Sequence, residues 1–276
     1  MPFFRRKDKL GRPDKPRILL WTTIFGGWYS YLDPRGTAEL PFGRCYISND
    51  RRTLAISDAV VFYACDMNGS DLPARRAPGQ KWVFWTMEAP TGCHMYRLVP
   101  FKSSMNWTMT YRRDSDIVTT YAEVERKKKV TPFSVARLKT VWKGKTRLAI
   151  WPVSHCNTSA KREDFVRELR RHMPVDVIGK CGRSSCTRSP SCYQQFERKY
   201  FFHLSFENSI CKDYVTEKLY ATQLYDIVPV TFGAKKKRLA PPGSYIDALK
   251  FSSPKDLAGY LKKVARNFKL YRRYFT

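Results

Sequence analysis

Apolar residues fall along this chain in short runs broken by polar or basic stretches. Residues 18–24 (ILLWTTI), 59–63 (AVVFY) and 81–86 (KWVFWT) are apolar nearly throughout and predict three buried strands. From residue 147 onward the pattern alternates. Strands are predicted at 148–153, 175–179, 200–206 and 227–233. Between them, Ser159 is placed to cap a helix carrying Phe165, Val166 and Leu169, and Asp213 to cap another after residue 206. The clearest helix opens at Ser253 and Pro254, and its apolar face is predicted as Leu257, Tyr260, Leu261, Val264 and Phe268. Such alternation predicts an α/β chain with parallel, doubly wound sheets that bind ligands at the carboxyl ends of their strands. We expect a basic stem or linker over residues 1–17, a first domain over 18–125, a basic interdomain linker over 126–146 and a second domain over 147–276.

Composition narrows the function. At 43 % apolar and 14 % aromatic residues, the 276-residue chain can bury a sizeable core. Its formal net charge of +27 favours anionic partners. The basic clusters at 5–9, 126–129, 235–238 and 272–273 lie mostly in predicted loops and do not alternate with aromatic residues. No stacking platform for nucleic acid is built that way, and no nucleic-acid partner is expected. Eight cysteines without a C-x-x-C pair fit disulfides in an oxidising compartment rather than a zinc site. Cys181, Cys186, Cys192 and Cys211 are expected to pair among themselves, in any of the three connectivities that four cysteines allow. Asn68, Asn106 and Asn157 each begin an N-x-[ST] sequon and are glycosylation candidates. No run of about 18 apolar residues spans a bilayer, and the start does not read as a signal peptide, so the sequence reads as a chain whose anchor is missing.

The chemistry concentrates in residues 202–218, FHLSFENSICKDYVTEK. A buried strand there delivers Glu207, Asn208 and Ser209 to its carboxyl end. After a polar loop, a helix opens with Tyr214, Thr216, Glu217 and Lys218 in its first turns, a favourable place for phosphate. Physics alone leaves this reading level with an ordinary solvated helix start. The triplet Asp114-Ser115-Asp116 has the D-x-D form of a metal site, but it follows Arg112 and Arg113, and ion pairing with them is the preferred reading. His94, His155, His172 and His203 are scattered without ligand spacing.

Residues 202–218 resemble the signature F-x-L-x-F-E-N-S-x-C-x-D-Y-x-T-E-K of the alpha-1,3-fucosyltransferases, glycosyltransferase family 10. Residues 105–117 (MNWTMTYRRDSDI), 85–90 (WTMEAP), 153–156 (VSHC) with Arg162, and 240–247 (APPGSYID) extend the likeness in unbroken order. The resemblance implies a GT-B architecture, two Rossmann-like domains facing a central cleft, the second holding the donor GDP-fucose. It implies inverting transfer of fucose to a GlcNAc hydroxyl of a glycoprotein glycan, with the N-glycan core favoured over terminal N-acetyllactosamine. Glu88 matches the family's base. Arg162 and Lys218 match its diphosphate contacts, Tyr214 and Glu217 its nucleoside and sugar contacts. Glu207 and Asn208 are further donor contacts, and Tyr111 and Arg112 secondary candidates. No cofactor or bound metal is required, although stimulation by Mn2+ stays open. Family membership also implies a type II anchor and the Golgi lumen. This sequence departs from the family at 118–122, where it has VTTYA, and at His155, which replaces an asparagine. The rival readings are a non-enzymatic binder of anionic glycan or nucleic acid, and an inactive family member.

Overall fold

The computed structural model describes residues 15–28, 37–40, 43–93, 95–125, 128, 133–182, 186, 189–233 and 240–276. Most of the predicted stem, His94, the cluster at 235–238 and all of 126–129 except Lys128 lie outside them. The chain divides into two compact units, one ending at Thr119 and one beginning at Thr120.

The first unit holds seven strands: β1 (Arg17–Leu20), β2 (Thr37–Leu40), β3 (Gly43–Ser48), β4 (Ala59–Tyr63), β5 (Lys81–Thr86), β6 (Trp107–Thr110) and β7 (Ile117–Val118). They lie in the order β2-β3-β1-β4-β5-β6-β7. Only the β2–β3 pairing is antiparallel. Strand order reverses between β1 and β4, the switch point of a doubly wound sheet. Leu19, Val60, Phe62 and Trp82 are buried in one apolar cluster, and Leu20, Val61 and Val83 in another. Burial on both faces is why these strands read as nearly continuous apolar runs. Among the described residues the unit has no α-helix; four 3-10 segments connect its strands. Asn106 accepts from Trp82 N (2.9 Å) and Arg76 Nη1 (2.9 Å) through its side-chain carbonyl, so this exposed sequon also joins β5 to the start of β6. Asn68 and Asn157 are exposed as well.

The second unit holds α1 (Val135–Gly144), β8 (Arg147–Pro152), α2 (Arg162–His172), β9 (Val175–Ile178), α3 (Pro190–Lys199), β10 (Tyr200–Phe206), α4 (Glu217–Thr222), β11 (Val228–Phe232), β12 (Ile246–Asp247), α5 (Pro254–Arg266) and α6 (Phe268–Arg272). Its sheet is parallel throughout, in the order β12-β11-β10-β8-β9. The reversal falls between β8 and β10.

Four expectations change here. The segment read as a linker contains α1, whose Leu138 is fully buried in the second unit's core and whose Trp142 Nε1 donates to Ala265 O at 3.0 Å. Thr216 caps α4, while Asp213 sits before it at φ 61°. Lys161, at φ 53°, precedes α2 in place of a Ser159 cap, and Thr158 donates its N–H (2.7 Å) and hydroxyl (2.9 Å) to Glu163. In α5, Ser253 caps and Leu257, Leu261 and Val264 are buried as expected. Ala258 and Ala265 complete the buried stripe and rotate it away from Tyr260, which is 37 % exposed and bonded to the Tyr274 hydroxyl (2.6 Å).

Disulfides join Cys65 to Cys93, Cys156 to Cys181 and Cys186 to Cys192. Cys211, expected to pair with one of the other three, is in none of these. The reason is topological. β8 and β9 are neighbours, so the loops leaving them bring Cys156 and Cys181 to a Cα separation of 5.5 Å, whereas Cys211 lies in the turn after β10. Among the described residues no helix is long and apolar enough to cross a membrane.

Candidate donor site and catalytic loop

In an open parallel sheet, the loops leaving the two strands at the switch point diverge and leave room for a ligand. In the second unit those loops follow β8 and β10. They are bonded to each other: Asn208 O accepts from Ala160 N (3.1 Å) and from the Ser159 hydroxyl (3.2 Å). Arg162, first residue of α2, is 4 % exposed. Its guanidinium donates to Phe206 O (2.5 Å) and His155 O (3.2 Å) and lies 5.8 Å from the Trp151 ring centroid. It straps the β8 loop to the end of β10 while bringing a positive charge to the switch point. Beside it, the Asn208 side-chain carbonyl oxygen is buried without a hydrogen-bond partner.

Glu207 ends β10 at 3 % exposure. One carboxylate oxygen accepts from Thr216 N (2.9 Å) and from its hydroxyl (2.9 Å), and the other lies 3.0 Å from Lys218 Nζ. Lys218 Nζ also donates to the Thr216 hydroxyl at 2.7 Å and lies 3.3 Å from Glu217. Burial leaves the Glu207 carboxyl above its ordinary range, although the Lys218 charge and the Thr216 donors pull the other way. A Cβ on Gly233, after β11, would come within 2.9 Å of the Glu207 side chain, so glycine there leaves the carboxylate its room. Removing one partner of so buried a pair strands the other charge, which costs about 3–5 kcal/mol.

Arg162, Glu207, Asn208, Glu217 and Lys218, the candidates from the sequence, lie around the end of β10, and their exposure differs. Glu217, with its side chain 39 % exposed, faces outward, whereas the Lys218 side chain is largely covered at 16 %. Glu207, expected as a donor contact, is buried against Thr216 and Lys218. Tyr214, expected at the nucleoside, is 1 % exposed, with its ring edge-on to Tyr121 at 6.4 Å. Thr216 was not singled out as a site residue, although a threonine directly before Glu217-Lys218 is itself a cap signal. A six-residue α4 has little dipole to offer, and Lys218 carries the anion-binding argument.

In the first unit Glu88 follows β5 at the carboxyl edge, half-buried. Its N–H donates to the Thr86 hydroxyl (3.0 Å), and Ala89 is fully packed. The Cys65–Cys93 disulfide ties this loop to the turn after β4. Next to Cys65, Asp66 accepts from the Thr23 hydroxyl (2.5 Å) and Gly26 N (2.8 Å), in the loop after β1. The ends of β1, β4 and β5 are thus fastened together around Glu88. Tyr111 is buried, and Arg112 forks onto Asp114 (2.8 and 2.6 Å). Asp116 departs from the expected pairing with arginine. It accepts from Thr108 N (2.8 Å) and the Thr108 hydroxyl (2.9 Å), which holds its carboxyl below the usual range. Among the described residues no group of three His, Cys, Asp or Glu side chains is placed to hold a metal ion. A cavity of about 600 Å³ lined by Arg147, Asp176, Phe201, Lys262 and Arg266 opens at the amino ends of β8 to β10, the edge opposite to the donor residues.

Two units built on mainly parallel sheets, each with polar residues at the carboxyl edge, are consistent with a GT-B glycosyltransferase. Residues 13–122 match the family "Fucosyltransferase, N-terminal", and residues 142–276 match "Glycosyltransferase family 10 (fucosyltransferase) C-term". The chain is 39 % identical to alpha-(1,3)-fucosyltransferase C of Drosophila melanogaster, over 94 % of this chain and 68 % of that one. It is 34 % identical to 4-galactosyl-N-acetylglucosaminide 3-alpha-L-fucosyltransferase FUT6 of Homo sapiens, over 98 % and 76 % of the two chains. The crystal structure of an alpha1,3-fucosyltransferase with GDP-fucose shares the fold at a TM-score of 0.57 and 16 % identity, over 94 % of this chain and 81 % of that one. The chain belongs to glycosyltransferase family 10, the fucosyltransferases.

Proposed function

We propose that the chain moves L-fucose from GDP-β-L-fucose to the 3-hydroxyl of a GlcNAc residue in a glycoprotein glycan, with inversion at the anomeric carbon. The observation that carries this reading is Lys218, held at the end of β10 by a buried carboxylate. A lysine fixed in that way meets the diphosphate of a nucleotide sugar without losing side-chain freedom on binding. Arg162 adds a second positive charge at the switch point, and Glu217 is exposed enough to accept from a ribose or fucose diol. Asn208 carries a buried acceptor suited to a ligand donor.

The reaction balances on these groups. The acceptor O3 forms its bond to C1 of fucose as the bond from C1 to the phosphate oxygen breaks. That electron pair leaves with GDP, and the developing charge is stabilised by Lys218 and Arg162. The O3 proton passes to the Glu88 carboxylate as general base. The base role rests on the family resemblance and on the rigid, half-buried loop that presents Glu88. The N-glycan core is the first acceptor proposed. The human relative, named for 4-galactosyl-N-acetylglucosaminide, supports keeping N-acetyllactosamine as the second. Three disulfides among the described residues support work in an oxidising compartment, for which we propose the Golgi lumen. Type II membrane anchoring belongs to the same proposal and rests on the family resemblance.

The test is transfer itself. The protein is incubated with GDP-fucose and a panel of N-glycan core and N-acetyllactosamine acceptors, with linkage and anomer read by NMR. An α-1,3-linked fucose on GlcNAc is expected. No transfer to any acceptor overturns the activity, and a β-linked product overturns the inverting mechanism.

A further inference from the structure

The loop after β1 exposes an aromatic ring in a backbone conformation that aromatic residues rarely adopt. Phe25 has φ 52°, in the left-handed region, and is 67 % exposed. That conformation is unfavourable for a residue other than glycine. Leaving a phenylalanine in water forgoes the gain of burying it. Neither is recovered by core packing, because most of the ring is in solvent. The turn is nevertheless firmly built. Ile24 and Gly27 exchange two backbone hydrogen bonds (2.7 and 3.1 Å), and Asp66 holds Thr23 and Gly26 from the neighbouring strand end. A strained residue that its surroundings hold in place is a reason to look for a ligand.

What the ring faces is the base loop's own edge of the sheet. Phe25 lies edge-on to Tyr63 at 5.2 Å, and Tyr63 edge-on to Trp85 at 5.3 Å, three residues before Glu88. Trp28, three residues further along the chain, is 47 % exposed. We infer that Phe25, with Trp28, is the aromatic floor of a sugar subsite in the first unit, stacking on a pyranose ring of the acceptor. The chemistry fits a sugar. One face of a pyranose is lined with C–H bonds carrying partial positive charge, which complement the negative face of an aromatic ring, while its hydroxyls stay hydrated. A loop fastened in advance pays little ordering entropy on binding. This subsite rests on the proposed acceptor chemistry and extends it to residues for which the family motifs made no claim.

The test uses Phe25→Gly, which removes the ring and relieves the φ strain, and Phe25→Tyr, which keeps a ring. Phe25→Gly is expected to raise the acceptor KM about 5- to 10-fold, the range of a lost aromatic contact. GDP affinity should be unchanged and the thermal midpoint equal or higher, and Phe25→Tyr should keep the wild-type acceptor KM. Saturation-transfer NMR with an N-glycan core oligosaccharide reads the same contact without turnover. Its GlcNAc signals should weaken in Phe25→Gly and persist in Phe25→Tyr. Wild-type KM and NMR signals in Phe25→Gly would overturn the platform, as would a parallel loss of GDP affinity. Absence of any transfer by the wild-type enzyme would instead overturn the proposed function, and the NMR arm would still decide whether Phe25 meets sugar.

Discussion

The two units place their chemistry at the same edge of similar sheets, yet fasten it differently. In the second unit, Lys218 and Arg162 sit in the first turns of α4 and α2, which follow β10 and β8 after loops, and a buried carboxylate fixes the lysine. In the first, Glu88 sits on an irregular loop, and cross-links do the work of helices: the Cys65–Cys93 disulfide and the Asp66 clamp. The second unit has a cross-link of its own, the Cys156–Cys181 disulfide between the loops after β8 and β9, so what distinguishes its lysine is the buried Glu207 carboxylate that holds it.

Replacing Glu88 breaks the comparison most sharply. Glu88→Gln keeps the loop's shape and removes the basic oxygen. Transfer should fall roughly 10²–10⁴-fold, the usual contribution of a general base, with GDP affinity unchanged by calorimetry. A parallel loss of GDP affinity would give Glu88 a structural role instead. The staples should rank next. For the separation of 28 residues between Cys65 and Cys93, loop entropy predicts about 3–4 kcal/mol. For the separation of 6 between Cys186 and Cys192 it predicts about 2–2.5 kcal/mol. Paired serine variants compared by chemical denaturation and transfer should show the larger loss of both stability and rate at Cys65–Cys93. Equal losses would mean that the base loop does not depend on its cross-link.

This contrast also explains what the sequence made legible. β4, β5 and β10 appear at their predicted residues because a strand buried on both faces writes a continuous apolar run. The candidates Glu207, Asn208, Glu217 and Lys218 were legible with β10, since periodicity locates a strand end and the family motif continues from it. Cys156 as the partner of Cys181 could not be read, because it depends on β8 and β9 being neighbours. Asp66 clamping Thr23 and Gly26 was hidden for the same reason. α1 was missed since it buries little besides Leu138 and Trp142 and looks like a basic linker. Tyr260 was assigned to the core because i+3 spacing alone does not show where a buried stripe is centred.

A smaller effect probes the second unit's packing. Lys145 is 6 % exposed and donates to Glu197 O and Tyr200 O. Burial pushes its ammonium down to about 7 from 10.5, against the pull of Asp226 and Glu197. The folded value lies below the unfolded one, so between these pH values the unfolded chain binds more protons. Stability should therefore rise with pH through that window, on the order of 1 kcal/mol per unit near its middle, and this contribution should be flat below it. Denaturation at pH 6 to 9 should show the slope in the wild type and a reduced slope in Lys145→Gln. Equal slopes would remove Lys145 as the cause.

The central claim is that a buried carboxylate presents Lys218 to a diphosphate. It is tested most directly by GDP calorimetry on the wild type, Lys218→Ala, Glu207→Gln and the double variant. Lys218→Ala should weaken GDP by about 1.5–3 kcal/mol, the range for hydrogen bonds to charged groups. Glu207→Gln should weaken it by less, and the double variant no more than Lys218→Ala alone, because Glu207 acts through the lysine. Wild-type affinity in Lys218→Ala, or fully additive losses in the double variant, would contradict the account.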